Sequence, residues 1–130
     1  MLAGMTMTSI TPLTLSPPRF VLCFGDDSET FAVIRSGVRF TVNVLASDQR
    51  ETAITFAGAG REKFADTKLA EVEGCPLLAH AHAVFLCTSE SHMRVGDHII
   101  VVALVEAALG GGGEPLLRHD RSYGTFVTGG

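Results

Sequence analysis

Val38, Phe40, Val42 and Val44 alternate with Arg39, Thr41 and Asn43, the period of two that marks a strand with one face buried. "RFVLCF" before this segment and "AVFLCTSE", "HIIVVALVEA" and "PLLRHD" after it also read as strands. Two short helices lie between. The first spans about Glu29 to Ser36, with Ser28 or Asp27 as its cap and Gly37 as its stop; the second begins after Ser47 and ends near Gly58. The run Gly110 to Gly113, followed by Glu114 and Pro115, predicts a hairpin connection between a strand ending near Leu109 and one starting at Leu116. Strands outnumber helices and the late ones follow one another directly. This favours a mainly β, antiparallel barrel with flanking helices over a doubly wound sheet.

Composition narrows the picture. The chain has 130 residues, 46% apolar and 18% charged, which suits a single domain, 1–130, with a substantial core. Its net charge is -4, its lysines are Lys63 and Lys68, and its arginines are scattered, so no basic stripe tracks a phosphate backbone and nucleic acid is not the expected partner. The opening "MLAGMTMTSITPLTLSPPRF" has no Lys or Arg before Arg19 and does not read as a secretory signal. The apolar run Ile99 to Val105 is ended by Glu106, well short of the roughly 20 residues that span a bilayer. Cys23, Cys75 and Cys87 are odd in number and widely spaced, which suggests neither a disulfide framework nor a thiolate zinc site; Cys23 and Cys87 lie in strand-like runs and read as small core residues, as suits a reducing cytoplasm.

Several motifs dissolve on inspection. Gly58-Ala59-Gly60 begins like a dinucleotide fingerprint but follows a helix, and position 63 is Lys63 instead of glycine. His80 and His82 stand two apart, as two ligands on an extended segment would, without a third ligand nearby, so no metal is expected. Neither a nucleophile elbow nor a Ser-His-Asp order can be assembled. Two features remain open. "TMTSITPLTLSPP" carries Thr6, Thr8, Ser9, Thr11, Thr14 and Ser16 ahead of a Pro-Pro turn: either a loose terminus or a segment offering hydroxyls and N–H groups to a flat, polar-edged ligand. "RVGDHII" sets His98 between a Gly-Asp turn and a buried strand, either as a polar residue at the strand mouth or as part of a site.

Taken in order, the segments resemble the flavin reductase-like family, the FMN-binding split barrels that serve as reductase components of two-component flavin-dependent monooxygenases. The likeness is carried by "GMTMTSITPLTLSPPRFVLCF", by "DDSETFAVIRSGVRFTVNVLASDQRETAITFAG", and by "REKF", "CPLL", "VGDHIIVVALVEA" and "GEPLLRHDRSYGTF" in succession. It runs from about Gly4 to Phe126. No single motif is decisive, and V-N-V-L-x-x-D-Q together with G-D-H and E-P-L-L is its most specific part.

The resemblance implies an antiparallel split barrel, a homodimer, bound FMN or FAD, and NADH or NADPH as hydride donor, with reduced flavin passed to a monooxygenase partner. It places Thr8 and Ser9 beside the isoalloxazine and ribityl chain, Ser28 and Thr30 near the phosphate, His98 near flavin and nicotinamide, and Tyr123 on the pyridine nucleotide side. Such a division needs no nucleophile, because the cofactor carries the chemistry and the protein orients two rings. Four departures stand out: Pro12 where serine is usual, Asp26 and Asp27 where arginine often occurs, Arg118 where an aromatic is usual, and a start that lacks the usual N-terminal helix and first strand. A missing strand is expected to leave a sheet edge unpaired. The alternative reading is a flavin-binding or structural split-barrel dimer with little catalytic activity.

Overall fold

The computed structural model describes residues 2–58, 64, 65, 67–125 and 127; the Ala59-Gly60 pair and most of the "REKF" segment lie outside them. The centre of the fold is an antiparallel sheet of five strands. In chain order these are β1 (Ile10–Leu15), β2 (Pro18–Gly25), β3 (Phe40–Val44), β6 (Ala83–Val95) and β7 (His98–Gly110), arranged β1-β2-β7-β6-β3. Helix α1 (Glu29–Ile34) connects β2 to β3 and α2 (Arg50–Ala57) follows β3. Two small hairpins, β4 (Leu69–Val72) with β5 (Cys75–Leu78) and β8 (Leu117–His119) with β9 (Ser122–Gly124), complete it. The fold is an antiparallel split barrel with flanking helices.

Alternation along the strands decides which face is buried. Phe20, Leu22 and Phe24 on β2 share a face with Ile99, Val101 and Ala103 on β7, and α1 adds Phe31 and Ile34 to this core. Leu22, Phe24 and Val101 are at most 2% exposed; full burial stabilises such side chains by about 1.5–3 kcal/mol each. The same alternation turns Val21, Cys23, Ile100, Val102 and Leu104 to the reverse face, where they are only half-buried.

Two bulges break the β6–β7 register. Leu86 pairs with Ala107 but Cys87 with Val105, and Ser89 pairs with Ala103 but Ser91 with Val102. The first leaves Glu106 as the extra residue of β7, the second Glu90 as that of β6. Leu86 and Cys87 are both buried because both faces of β6 are covered here: Cys87 and Phe85 join the core of β2 and β7, while Leu86, like Val84, points the other way. The re-aimed carboxylates meet arginines: Glu90 with Arg19 at 2.7 Å and Glu106 with Arg39 at 4.0 Å.

Both predicted helices form, shorter than expected. Ser28 caps α1, its hydroxyl accepting from the Phe31 N–H at 3.1 Å, and Gly37 has φ +92°, a left-handed turn that ends the segment at low steric cost. The glycine run differs from expectation. β7 ends at Gly110 but pairs with β2 and β6, while β8 pairs with β9, so the run is a crossing between sheets and not a hairpin. It is docked: the Gly111 N–H donates to the His82 carbonyl, Pro115 bridges Ala46, and the Leu116 N–H donates to the Leu45 carbonyl. A Cβ at Gly111 would collide with the Ala81 carbonyl oxygen.

Candidate functional site

A cavity of about 720 Å³ opens on the core face of the sheet, within the range of small-molecule and cofactor sites. Its floor is apolar, built by Phe20, Phe24 and Phe85, and its rim carries Thr6, Thr8, Thr30, Asn43, Thr52 and Tyr123. The N-terminal segment forms one wall because it is laced to α2: the Thr6 N–H donates to the Phe56 carbonyl at 3.1 Å and its hydroxyl to the Ala53 carbonyl at 2.7 Å. Gly4 lies against the Phe56 and Phe64 rings, where a Cβ would come within 3.3 Å. The hydroxyl-rich start is therefore fixed structure instead of a loose terminus.

The V-N-V-L-x-x-D-Q segment turns out to be a set of ties that hold the opposite wall. Asn43 accepts from the Leu78 N–H at 2.9 Å and donates to the Thr41 hydroxyl at 3.0 Å, binding β3 to β5. Gln49 accepts from the Ala46 N–H at 2.8 Å and donates to the Ala79 carbonyl at 3.0 Å, fixing the corner from which α2 departs. Composition and period could not single these amides out; the order of the motif did.

Of the expected site residues, Thr8, Thr30 and Tyr123 line the cavity. Ser9, Ser28 and His98 are not among its lining residues. The Ser9 hydroxyl donates to the Cys23 carbonyl at 3.1 Å, and the Ser28 hydroxyl is occupied in capping α1. His98 pairs with Gly25, one residue beyond Phe24, and its side chain is 60% exposed. Because Ile99 faces the core, His98 projects from the reverse face, as does Ser9 opposite Cys23. Ser9 and His98 thus lie on the face opposite the cavity that Thr8, Thr30 and Tyr123 line, with Ser28 at the cap of α1.

His98 is nonetheless held. Its Nδ1 lies 2.9 Å from an Asp97 carboxylate oxygen; a carboxylate only accepts, so Nδ1 carries a proton, and in the neutral ring this leaves Nε2 as the acceptor. Asp97 is held below its ordinary pKa, first by this hydrogen bond, then by its own backbone N–H and the charge of His98. Beside it, Arg94 pairs with Asp26 at 2.6 Å, so one of the two acidic residues that depart from the family pattern is neutralised. Burial pushes the Cys87 thiol up to about 12 and raises Cys75 as well, which removes both as nucleophiles. His82 contacts the Gly112 carbonyl at 3.1 Å and His80 occupies a left-handed turn at φ 67°. Among the described residues no three His, Cys, Asp or Glu side chains gather to hold a metal ion.

A largely apolar cavity lined also by threonine hydroxyls, one asparagine and one tyrosine has the size and lining of a small-molecule or cofactor site. The family match gives that class its name. Residues 1–126 match the flavin reductase like domain, and the chain belongs to that family. It is 37% identical over 124 residues to the reductase component of a 4-nitrophenol 4-monooxygenase/4-nitrocatechol 2-monooxygenase from Rhodococcus opacus, covering 95% of this chain and 67% of that protein. It is 35% identical over 127 residues to a flavin reductase (NADPH) from Lentzea aerocolonigenes, covering 95% and 74%. Among solved structures, a Streptomyces globisporus NADH:FAD oxidoreductase in complex with NAD and FAD fragments superposes with a TM-score of 0.88 at 29% identity, covering 95% of this chain and 76% of that one.

Proposed function

We propose that this chain is an NAD(P)H-dependent flavin reductase that passes a hydride from nicotinamide to FMN or FAD and supplies reduced flavin to a partner monooxygenase. The cavity is the observation that carries the reading. Its size and apolar floor suit a flat ring system, and Thr8 and Thr30 offer hydroxyls at the edge where such a ring is polar. The bound flavin supplies the hydride-accepting centre; the protein supplies binding and alignment. In this role Thr8 and Ser9 border the ring and ribityl chain, Ser28 and Thr30 the phosphate end, and Tyr123 the coenzyme side. His98 offers Nε2 to a polar edge of flavin or nicotinamide while Asp97 fixes its tautomer.

Because the expected residues are divided between two faces, the complete site is read as that of a homodimer. The reverse face supports this: Met93 and Val95 are 59% and 52% exposed, Met93 pairs with half-buried Ile100, which pairs in turn with Cys23, and the next residue on that face of β7, Val102, pairs with Val21. An apolar strip of this kind on a sheet face marks an interface. A second copy laid on it would bring Ser9 and His98 of one protomer to the boundary between the two. No described helix is long and apolar enough to cross a membrane, and we place the protein in the cytoplasm, where its three thiols stay free.

The placement of His98 on the face opposite the cavity favours a second reading, a flavin-binding dimer with little turnover. One experiment separates the two. Purified protein is mixed with FMN or FAD and with NADH or NADPH, and loss of reduced-nicotinamide absorbance is followed. Oxidation above the flavin-only background is expected; its absence with both nucleotides, alongside quenched flavin fluorescence, would leave the binding module standing.

A further inference from the structure

Most arginines that make polar side-chain contacts here face carboxylates: Arg19 with Glu90, Arg39 with Glu73 and Glu106, Arg94 with Asp26. Arg50 and Arg118 do not. Arg50 opens α2 and Arg118 lies on β8, directly across the strand pair from Tyr123. Their guanidinium carbons stand 5.9 and 5.7 Å from the centre of the Tyr123 ring. Both side chains belong to exposed residues, and neither forms an ion pair among the described residues. In a chain of net charge -4, two cations without an ion pair among the described residues therefore share one aromatic ring, Tyr123, which with Arg118 lines the cavity while Arg50 stands just outside its lining.

We infer that Arg50, Tyr123 and Arg118 form a subsite for the phosphomonoester of a bound nucleotide. The inference rests on the reductase reading for the identity of the nucleotide, but on geometry for the subsite. A guanidinium matches two phosphate oxygens at once and stays charged at any physiological pH. A phosphomonoester carries about -1.5 to -2 charges at neutral pH. The ring that holds the two guanidiniums limits the rotamer freedom they would otherwise lose on binding. Two sources present this chemistry, the 2′-phosphate of NADPH and the 5′-phosphate of FMN; the second assignment would replace Ser28 and Thr30 as the flavin phosphate site. Either way, Arg118 sets a preference for the phosphorylated ligand.

The test compares the parent chain with Arg118→Glu and Arg50→Glu, with Arg118→Lys as the conservative variant and Arg35→Glu as control. Arg35 also stands over an aromatic ring, Phe31, at 5.9 Å, but lines no part of the cavity. Two ratios are read: kcat/KM for NADPH over NADH, and affinity for FMN over riboflavin by calorimetry. Losing a charge-assisted hydrogen bond corresponds to roughly a 10-fold change. A fall of that size in the first ratio in both glutamate variants, partly rescued by lysine, assigns the subsite to the coenzyme. The same fall in the second ratio assigns it to the flavin. Both ratios staying at parental values, or moving equally in Arg35→Glu, overturns the subsite. If the parent oxidises neither nucleotide, the reductase reading falls, while calorimetry with FMN against riboflavin and 2′,5′-ADP against 5′-AMP still decides the subsite.

Discussion

His98 shows how much a single side chain can be fixed without being buried. Its proton is placed by Asp97, whose carboxyl is in turn held below the ordinary range by that contact. A carboxylate with a depressed folded pKa contributes stability that is present above its unfolded value of about 3.9 and is lost as pH falls through the folded value. Thermal melts should therefore be insensitive to Asp97 between pH 7 and about 4 and decline below, and Asp97→Asn should remove part of that acid limb. Replacing His98 with alanine is expected to lower nicotinamide-dependent turnover by roughly 10-fold while changing flavin affinity less than twofold. Steady-state rates and a flavin titration check this, and unchanged rates would return His98 to a polar ornament of the turn. The residue was visible in the sequence through the G-D-H motif. Its orientation was not, because a hairpin tip can send its first strand residue to either face and only the register of β7 chooses.

At the level of elements, β3 was legible because its apolar positions alternate, β2, β6 and β7 because they are apolar runs of strand length, and α1 because Ser28 and Gly37 punctuate it. The hairpins β4–β5 and β8–β9 were largely hidden. Their strands are four and three residues long, too short for a period to declare itself. The glycine run misled for a related reason: glycines signal a turn, yet nothing local says which strands the turn joins. Here it lets the chain pass close beneath Ala81, and Gly111→Ala should cost more than the roughly 1 kcal/mol of a lost glycine conformation, because the clash is with backbone. Gly110→Ala, which meets nothing within 4 Å, serves as the comparison. Paired melting curves would show the difference, and equal midpoints would mean the crossing relaxes freely.

For the whole molecule the open question is what covers the reverse face of the sheet. Met93, Val95, Ile100, Val102 and Val21 present apolar surface that no local pattern marks as unusual, since half-buried strands are ordinary. If a second copy covers it, Met93→Glu should place a charge in a desolvated interface and shift the protein from dimer to monomer. Sedimentation velocity at micromolar concentration would show the change. A parent that is already monomeric would refute the dimeric arrangement, and with it the reason for dividing the site between two faces.

The sequence by itself determined the long antiparallel strands, the two short helices and, through ordered motifs, membership in the flavin reductase like family, because these depend on neighbours in the chain. Only the tertiary structure decided that Asn43 and Gln49 are ties, that Arg50 and Arg118 converge on Tyr123, and that Thr8 and His98 face opposite ways. Those facts follow from strand register, bulges and the crossing between sheets, where residues far apart in sequence meet and a shift of one position reverses every side chain.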